Sequence, residues 1–385
     1  MTLGVRAACF VTLALYLAFL FLQVVTVHDG MDPAGSPVGY DFSAYYEAAQ
    51  FARRGEPARA YDDQAIFAAE QARFPSSTTK LPWNYPPIFQ AYLVPWTFLP
   101  YVTAFLSWTA LMLAAYVAFT RHVVAAPALW PLLLFPGAII NLFLGANGLL
   151  VALLVGAGFL LIDRRPLLSG ALFGLAVFKP HLTLFLPVAL LAARKYRVLA
   201  GMLGTVVVLV SGTALLFGAD AWLAFLAKAV HAGDVATSSS SGWTRVPTLY
   251  TLARVLGAGK IIAGVVHGAV AIMAAGGVAW LWRSSARPAL RNGALALALL
   301  IITPYARIYD FAFLLFPILA LMSETKELAP REDRLLIALA WAAPLIGLVV
   351  RISTPWLSIL LIVLLARLMV KAMREMRVTP LDASS

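Results

Sequence analysis

The chain has 385 residues, of which 62% are hydrophobic and only 12% charged, and its mean hydropathy is +0.85. Soluble domains carry about 25% charged residues, so the composition excludes a soluble enzyme and predicts an all-α polytopic membrane protein. The formal net charge is +11, but the basic residues form short clusters between apolar runs. That pattern is typical of cytoplasmic loops, so we expect the bilayer and no nucleic acid as a partner.

The first apolar run, Ala7–Val27, is long enough to span a bilayer and has no small-residue cleavage site after it. We therefore expect a retained helix with Arg6 on the cytoplasmic side. Residues 28–85 are predicted to be the first external loop, with two interfacial helices. The first helix covers Val38–Gln50 and repeats aromatic residues on one face, as expected for a helix lying on the membrane with that face down.

Asp41 stands at the start of this helix and has two interpretations. It is either an N-cap, accepting hydrogen bonds from free backbone N–H groups, or a general base facing an acceptor hydroxyl. The local sequence favours the cap.

Two later stretches contain helix-breaking residues. Residues 86–120 hold Pro95 and Pro100 and predict either one bent span or a short helix followed by a full one. Residues 167–193 have basic clusters at both ends and Lys179 in the middle, which predicts a hairpin of two short helices with a polar tip. Broken backbone at membrane depth requires surrounding protein or a water-filled cavity.

The second half of the chain adds three features. Residues 218–260 predict a second external segment with an interfacial helix over Asp220–Val230 and a flexible tract over Thr237–Gly242. Thr303–Asp310, reading TPYARIYD, predicts an external polar elbow, and residues 371–385 a cytoplasmic tail. We expect eleven to twelve transmembrane or re-entrant helices in one integral domain, 1–385.

Polar residues that this threading places on the outer side form the candidate site. Cations suit a phosphate, aromatic rings suit sugar faces, and a carboxylate suits proton removal. The candidates beside Asp41 are Lys179, His181, Arg245 and Arg307 for a phosphate, and Tyr45, Tyr46, Asn84, Tyr85, Asn147, Trp243, Tyr309 and Asp310 for a sugar or acceptor.

Each candidate also has a structural interpretation. Lys179 can snorkel from a helix end, Asn84 can be a turn residue, and the aromatic residues can anchor the membrane interface. Arg307 and Asp310 can pair with each other at the surface. The histidines lack spaced partners, and no zinc, Walker or HExxH pattern occurs, so we expect no metal and no cofactor.

An ordered set of motifs resembles glycosyltransferase family 87, in the GT-C superfamily. The matching pieces are YDFSAYYEAA (Tyr40–Ala49), WNYPP (Trp83–Pro87), LPY (Leu99–Tyr101), GANG (Gly145–Gly148), DRRPLLSGALFGLAVFKPH (Asp163–His181), TRVPTLYTLARVLGA (Thr244–Ala258) and TPYARIYD (Thr303–Asp310). Relatives often carry Gln where this chain has Ala146 and His181. Some have a Trp-Asp/Glu-His run where this chain has Ile308, Tyr309 and Asp310.

The resemblance implies a GT-C-like helical bundle and transfer of a sugar, typically mannose, from a polyprenyl-phosphate donor to a lipid or glycan acceptor. It implies an inverting reaction on the non-cytoplasmic face of a bacterial-type plasma membrane. The family's base, the acidic residue of the first external loop, maps onto Asp41. The alternatives are a glycolipid transporter or flippase and a membrane scaffold. A transporter is expected to show broken spans in matched halves, which this chain lacks.

Overall fold

The computed structural model describes residues 3–28, 30–32, 35–238, 246–322 and 330–378. Within these ranges the chain is helical, and the β pairing consists of isolated bridges between 28 and 37. By length and composition, five described helices can cross a membrane, and six shorter apolar helices bring the apolar segments to eleven. The predicted all-α polytopic class is therefore confirmed.

The α-helices are numbered here in chain order. They are α1 (Leu3–Thr26), α2 (Tyr40–Arg53), α3 (Asp63–Arg73), α4 (Pro87–Leu93), α5 (Tyr101–Val123), α6 (Ala126–Leu133), α7 (Pro136–Leu144), α8 (Gly148–Leu161), α9 (Pro166–Leu175), α10 (Pro180–Thr183), α11 (Leu186–Ala192), α12 (Tyr196–Phe217), α13 (Ala219–Ser238), α14 (Leu249–Val255), α15 (Lys260–Arg283), α16 (Pro288–Ile302), α17 (Leu315–Met322), α18 (Arg331–Val349) and α19 (Leu357–Val378).

By internal contacts the chain divides into two compact units. The first comprises Met1–Leu153 and Val207–Gly233, and the second comprises Leu154–Val206 and Asp234–Ser385. This division into compact units does not test the expectation of one integral domain, which stays a prediction.

Proline positions explain how the stretch after the first external loop folds. α4 ends at Leu93, a 3₁₀ turn covers Val94–Phe98, and the full-length α5 begins at Tyr101. Pro95 removes a backbone donor, and Pro100 holds the extended conformation that precedes α5. Of the two predicted arrangements, the short helix followed by a full one is the observed one.

The predicted hairpin around Lys179 is broken into more pieces than two helices. α9 passes into a 3₁₀ turn at Ala176–Phe178, and Pro180 then opens the single turn of α10, which α11 follows. The polar tip at Lys179 is where the backbone leaves the helical conformation, as predicted.

Two expectations about external helices need correction. The aromatic face of α2 does not lie on lipid, because Phe42, Tyr45 and Tyr46 are buried against protein. The helix predicted over Asp220–Val230 is longer, since α13 continues to Ser238, so the first two residues of the predicted flexible tract are helical. The rest of that tract lies outside the described residues.

Candidate active site

Asp41 lies in the first turn of α2, and a glycine precedes this helix. Gly39 is the N-cap, with φ 71°, and no side chain caps the helix. The interpretation of Asp41 as the N-cap is therefore wrong. Asp41 is half-buried, with its Oδ2 shielded from solvent, and it lies near the positive end of the helix dipole.

Two close approaches hold the start of α2 in place. A Cβ at Gly39 would lie 2.6 Å from the Phe105 ring, and a Cβ at Gly145 would lie 2.6 Å from Cβ of Phe42. Both glycines have positive φ, which other residues rarely adopt. The Tyr101 hydroxyl also donates to the carbonyl of Val38, at 2.6 Å. The position of Asp41 is thus fixed by packing on α5 and on the GANG turn.

The GANG turn is held by an asparagine that precedes it. Asn141 donates to the carbonyl of Gly137 at 2.7 Å and accepts from the backbone N–H of Leu149 at 2.9 Å. Asn147, a predicted sugar ligand, is fully buried in this turn. We conclude that the turn is a rigid support for Phe42, the residue next to Asp41.

An aromatic cluster follows Asp41 on α2. The Tyr45 and Tyr85 hydroxyls lie 3.2 Å apart, and the Tyr45 ring meets Trp83 and Phe89 edge to face. Tyr45 is buried, whereas Tyr85 is partly exposed and Asn84 is exposed. Among the predicted sugar ligands of this region, Asn84 and Tyr85 are therefore the accessible ones.

Tyr46, on α2, contacts an ion pair between Arg73 and Glu47. Its hydroxyl donates to the carbonyl of Leu99 at 2.8 Å, and the Arg73 guanidinium lies 4.8 Å from the centre of its ring. Arg73 also pairs with Glu47, which is 3% exposed. Burial raises the pKa of Glu47, and the pairing with Arg73 opposes that rise.

Glu70 links α2 to the extended chain before Trp83. Its carboxylate accepts from the Ser43 hydroxyl at 3.4 Å and from the backbone N–H of Leu81 at 3.1 Å. Glu70 is 4% exposed, and this burial raises its pKa to about 7, against the lowering effect of the two hydrogen bonds. None of Glu47, Glu70 and Arg73 is among the candidate residues predicted from the sequence.

In the second unit, the Lys179 tip and the elbow come together. The Lys179 ammonium pairs with Asp310 and lies 4.5 Å from the centre of the Tyr309 ring. The other oxygen of Asp310 accepts from the backbone N–H of Arg307 at 2.8 Å. Lys179 is 1% exposed and Asp310 is 0% exposed, so the expectation of a surface pair between Arg307 and Asp310 is wrong.

Two further candidates border this buried pair. The His181 ring faces the Tyr305 ring at 6.5 Å, and among the described residues its shielded Nε2 has no hydrogen-bond partner. The Arg307 side chain is exposed. Because Lys179 and Asp310 neutralise each other, Arg307 is the cation of this group that remains open to an anion.

The remaining predictions about the site have different outcomes. Trp243 and Arg245 lie outside the described residues. Asp41 belongs to the first unit and Lys179 to the second, so a cavity shared by both stays a prediction. No cluster of three or more His, Cys, Asp or Glu side chains that would hold a metal ion occurs in the described part of the chain.

Five long apolar helices and six shorter ones among the described residues define a polytopic membrane protein. The chain belongs to glycosyltransferase family 87, whose model matches residues 83–304, more than half of its length. It is accordingly a membrane glycosyltransferase. The matched stretch includes the GANG turn and Lys179, and it begins after Asp41. No curated protein matches the chain, and no solved structure does.

Proposed function

We propose that the chain transfers a sugar from a polyprenyl-phosphate donor to a hydroxyl of a lipid or glycan acceptor, with inversion, on the non-cytoplasmic face. Mannose is the first sugar to test, because it is the one that the family resemblance implies. The observation that carries the proposal is the placement of Asp41. Asp41 is half-buried in the first turn of α2, and it does not cap that helix.

The proposed reaction has one displacement step. Asp41 takes the proton of the acceptor hydroxyl, and the acceptor oxygen bonds to the anomeric carbon of the sugar. The bond from that carbon to the phosphate oxygen breaks, and polyprenyl phosphate leaves with both electrons. Attack opposite the leaving group inverts the anomeric configuration. Asn84 and Tyr85, which are accessible in the first unit, are the proposed contacts to sugar or acceptor.

The proposed phosphate contacts lie in the second unit. Arg307 offers an exposed guanidinium, which binds a phosphate diester through two parallel hydrogen bonds. His181 offers the shielded Nε2, and Lys179 supports the elbow through its pair with Asp310. Trp243 and Arg245 stay proposed ligands on the grounds of sequence alone.

Product formation by the purified protein tests the activity. The protein is incubated with radiolabelled polyprenyl-phospho-mannose and a membrane lipid extract, with the glucose donor in a parallel reaction. We expect a new labelled glycolipid or glycan. Movement of labelled donor across proteoliposomes without any new product would favour a flippase and contradict the proposal.

Cysteine labelling tests the side of the membrane. In a Cys9→Ala background, a cysteine at Ser76 is expected to react with an impermeant maleimide added outside intact cells. A cysteine at Ser323, in the loop predicted to be cytoplasmic, is expected to react only after lysis. The reverse pattern would place the first external loop, and Asp41 with it, in the cytoplasm.

A further inference from the structure

A groove of about 540 Å³ lies on the second unit, and none of the site residues described above lines it. It is lined by Ala192, Gly276, Ala279, Trp280, Arg283 and Ser284. Ala192 ends α11, which packs against α15, and Arg283 is the last residue of α15. The groove therefore follows the last two turns of a helix that is long enough to span the bilayer.

Small residues make the room in this groove. Gly276, Trp280 and Arg283 are spaced by four and three positions, so they share one face of α15. A Cβ added to Gly276 would meet nothing within 4 Å. The groove is thus lined by small apolar residues over two turns of α15, and the Arg283 guanidinium lies at its end.

The charge at the end of the groove differs from that of neighbouring basic residues. Arg283 is exposed and has no carboxylate within ion-pair distance among the described residues, whereas Arg287 pairs with Glu375. Trp280 is 45% exposed beside it, which suits an indole at the membrane interface. The Ser284 hydroxyl already donates to the carbonyl of Leu281, so Arg283 provides the main polar contact.

We propose that this groove binds an anionic phospholipid, with its phosphate on Arg283 and one acyl chain along Gly276, Ala279 and Ala192. The basic clusters place this end of α15 at the predicted cytoplasmic face, where anionic lipids attract exposed Lys and Arg side chains. An anionic headgroup is preferred to a zwitterionic one, because the latter brings a second cation next to Arg283. The site is separate from the proposed transfer reaction and does not depend on it.

Lipid binding is measured on the full chain in a neutral detergent. Phosphatidylglycerol and phosphatidylcholine with the same acyl chains are titrated, and bound lipid is counted by native mass spectrometry beside the melting temperature. At a tenfold excess over Kd we expect phosphatidylglycerol to raise the wild-type melting temperature by about 2–4 °C. Arg283→Gln is expected to lose most of this shift and the bound lipid.

Two further variants separate charge from shape. Arg334→Gln removes an exposed cation of α18 that does not line the groove, and it is expected to keep the wild-type shift. Ala279→Leu fills the groove without changing charge and is expected to lose the lipid. If Ala279→Leu does not fold, the comparison of Arg283→Gln with Arg334→Gln decides alone.

Three results would overturn the proposal. One is a wild-type shift that Arg283→Gln retains in full. Another is an equal shift with phosphatidylcholine, since the headgroup charge would then be irrelevant. The third is an equal shift with soluble glycerol phosphate, which would make the site one for free anions rather than for lipid.

Discussion

Asp41 and Asp310 are both carboxylates that follow a break in the chain, but their surroundings differ. Asp41 is half-buried, and the backbone around it is held by the packing of Gly39, Phe42 and Gly145. Asp310 is fully buried, with one oxygen on Lys179 and the other on a backbone N–H. A group that exchanges a proton with a substrate must be reachable, whereas a group with both oxygens engaged is suited to holding other groups in place.

This comparison favours proton transfer at Asp41 and a supporting role for Asp310. It predicts that changes at Asp41 affect turnover and spare stability, and that changes at Asp310 affect stability first.

Asp41→Asn is expected to produce the largest effect on activity. Loss of one general base typically costs about 10²–10⁴ in rate, and because Asp41 caps no helix, the melting temperature should stay near the wild-type value. The measurement is the initial rate of transfer at a saturating donor concentration.

Asp62→Ala is the matched control, since the Asp62 side chain does cap α3 and accepts from the N–H of Gln64 at 2.9 Å. It should lose about 1 kcal/mol of stability and keep transfer. Wild-type turnover of Asp41→Asn would remove Asp41 from the mechanism.

Breaking the buried ion pair is expected to produce the largest effect on stability. Lys179→Met or Asp310→Asn leaves one buried charge uncompensated, which costs about 3–5 kcal/mol in soluble proteins. The double variant should recover part of that loss, because it leaves no isolated charge. Melting temperatures in one detergent measure all three variants. Additive losses in the double variant would show that the two side chains are not coupled.

Gly145→Ala tests whether the GANG turn positions Asp41. The added Cβ would meet Cβ of Phe42, so we expect a loss of transfer of roughly tenfold through displacement of α2. Gly55→Ala is the control, since Gly55 also has positive φ but a Cβ there meets nothing within 4 Å. Both should lose about 1 kcal/mol of stability from backbone strain, and only Gly145→Ala should lose activity. Equal transfer rates in the two variants would show that the contact with Phe42 does not position the site.

The smallest expected effect is a dependence of the folding stability on pH that arises from Glu70. Its folded-state pKa of about 7 lies above the ordinary value of 4.5, so between these values the folded state binds a proton that the unfolded state has lost. Stability should therefore fall as pH rises from about 4.5 to about 7. Glu70→Gln is expected to flatten this slope in part, since Glu47 also has a raised pKa. Glu56→Gln, at an exposed pair with Arg59, should leave it unchanged. An unaltered slope in Glu70→Gln would show that Glu70 does not titrate in this range.

The class of the fold and most helices could be predicted from the sequence, because apolar length and proline positions act locally. Pro180 and Pro95 lie where the helices are interrupted in the structure. The aromatic spacing correctly predicted the helix that is α2. What that helix faces was not predictable, since an aromatic stripe packs equally well on lipid or on protein. Here α5 covers it.

The candidate site was harder to predict, because its contacts join distant positions. Lys179 and Asp310 are separated by 131 positions, and both were identified as polar groups without their pairing being foreseen. In the sequence, the pattern around Glu47, Glu70 and Arg73 is that of ordinary charged residues on amphipathic helices. Only their burial together reveals a network, and no local spacing signals burial. The N-cap at Gly39 was missed because Asp is a common cap, whereas the left-handed conformation of Gly39 depends on its approach to Phe105.

The first unit is discontinuous in the chain, and this has a consequence for its synthesis. Lys228, in its later stretch, donates to the carbonyl of Tyr61 at 3.2 Å and pairs with Asp63, so that stretch closes on the first external loop. A ribosome must therefore deliver Leu154–Val206 to the membrane before the first unit has all its parts. A nascent chain arrested at residue 206 would carry Asp41 but lack the helix that holds Tyr61 and Asp63. For the same reason, a gene split after residue 153 would divide the first unit between two polypeptides, whereas a split within 239–245 would leave it on one.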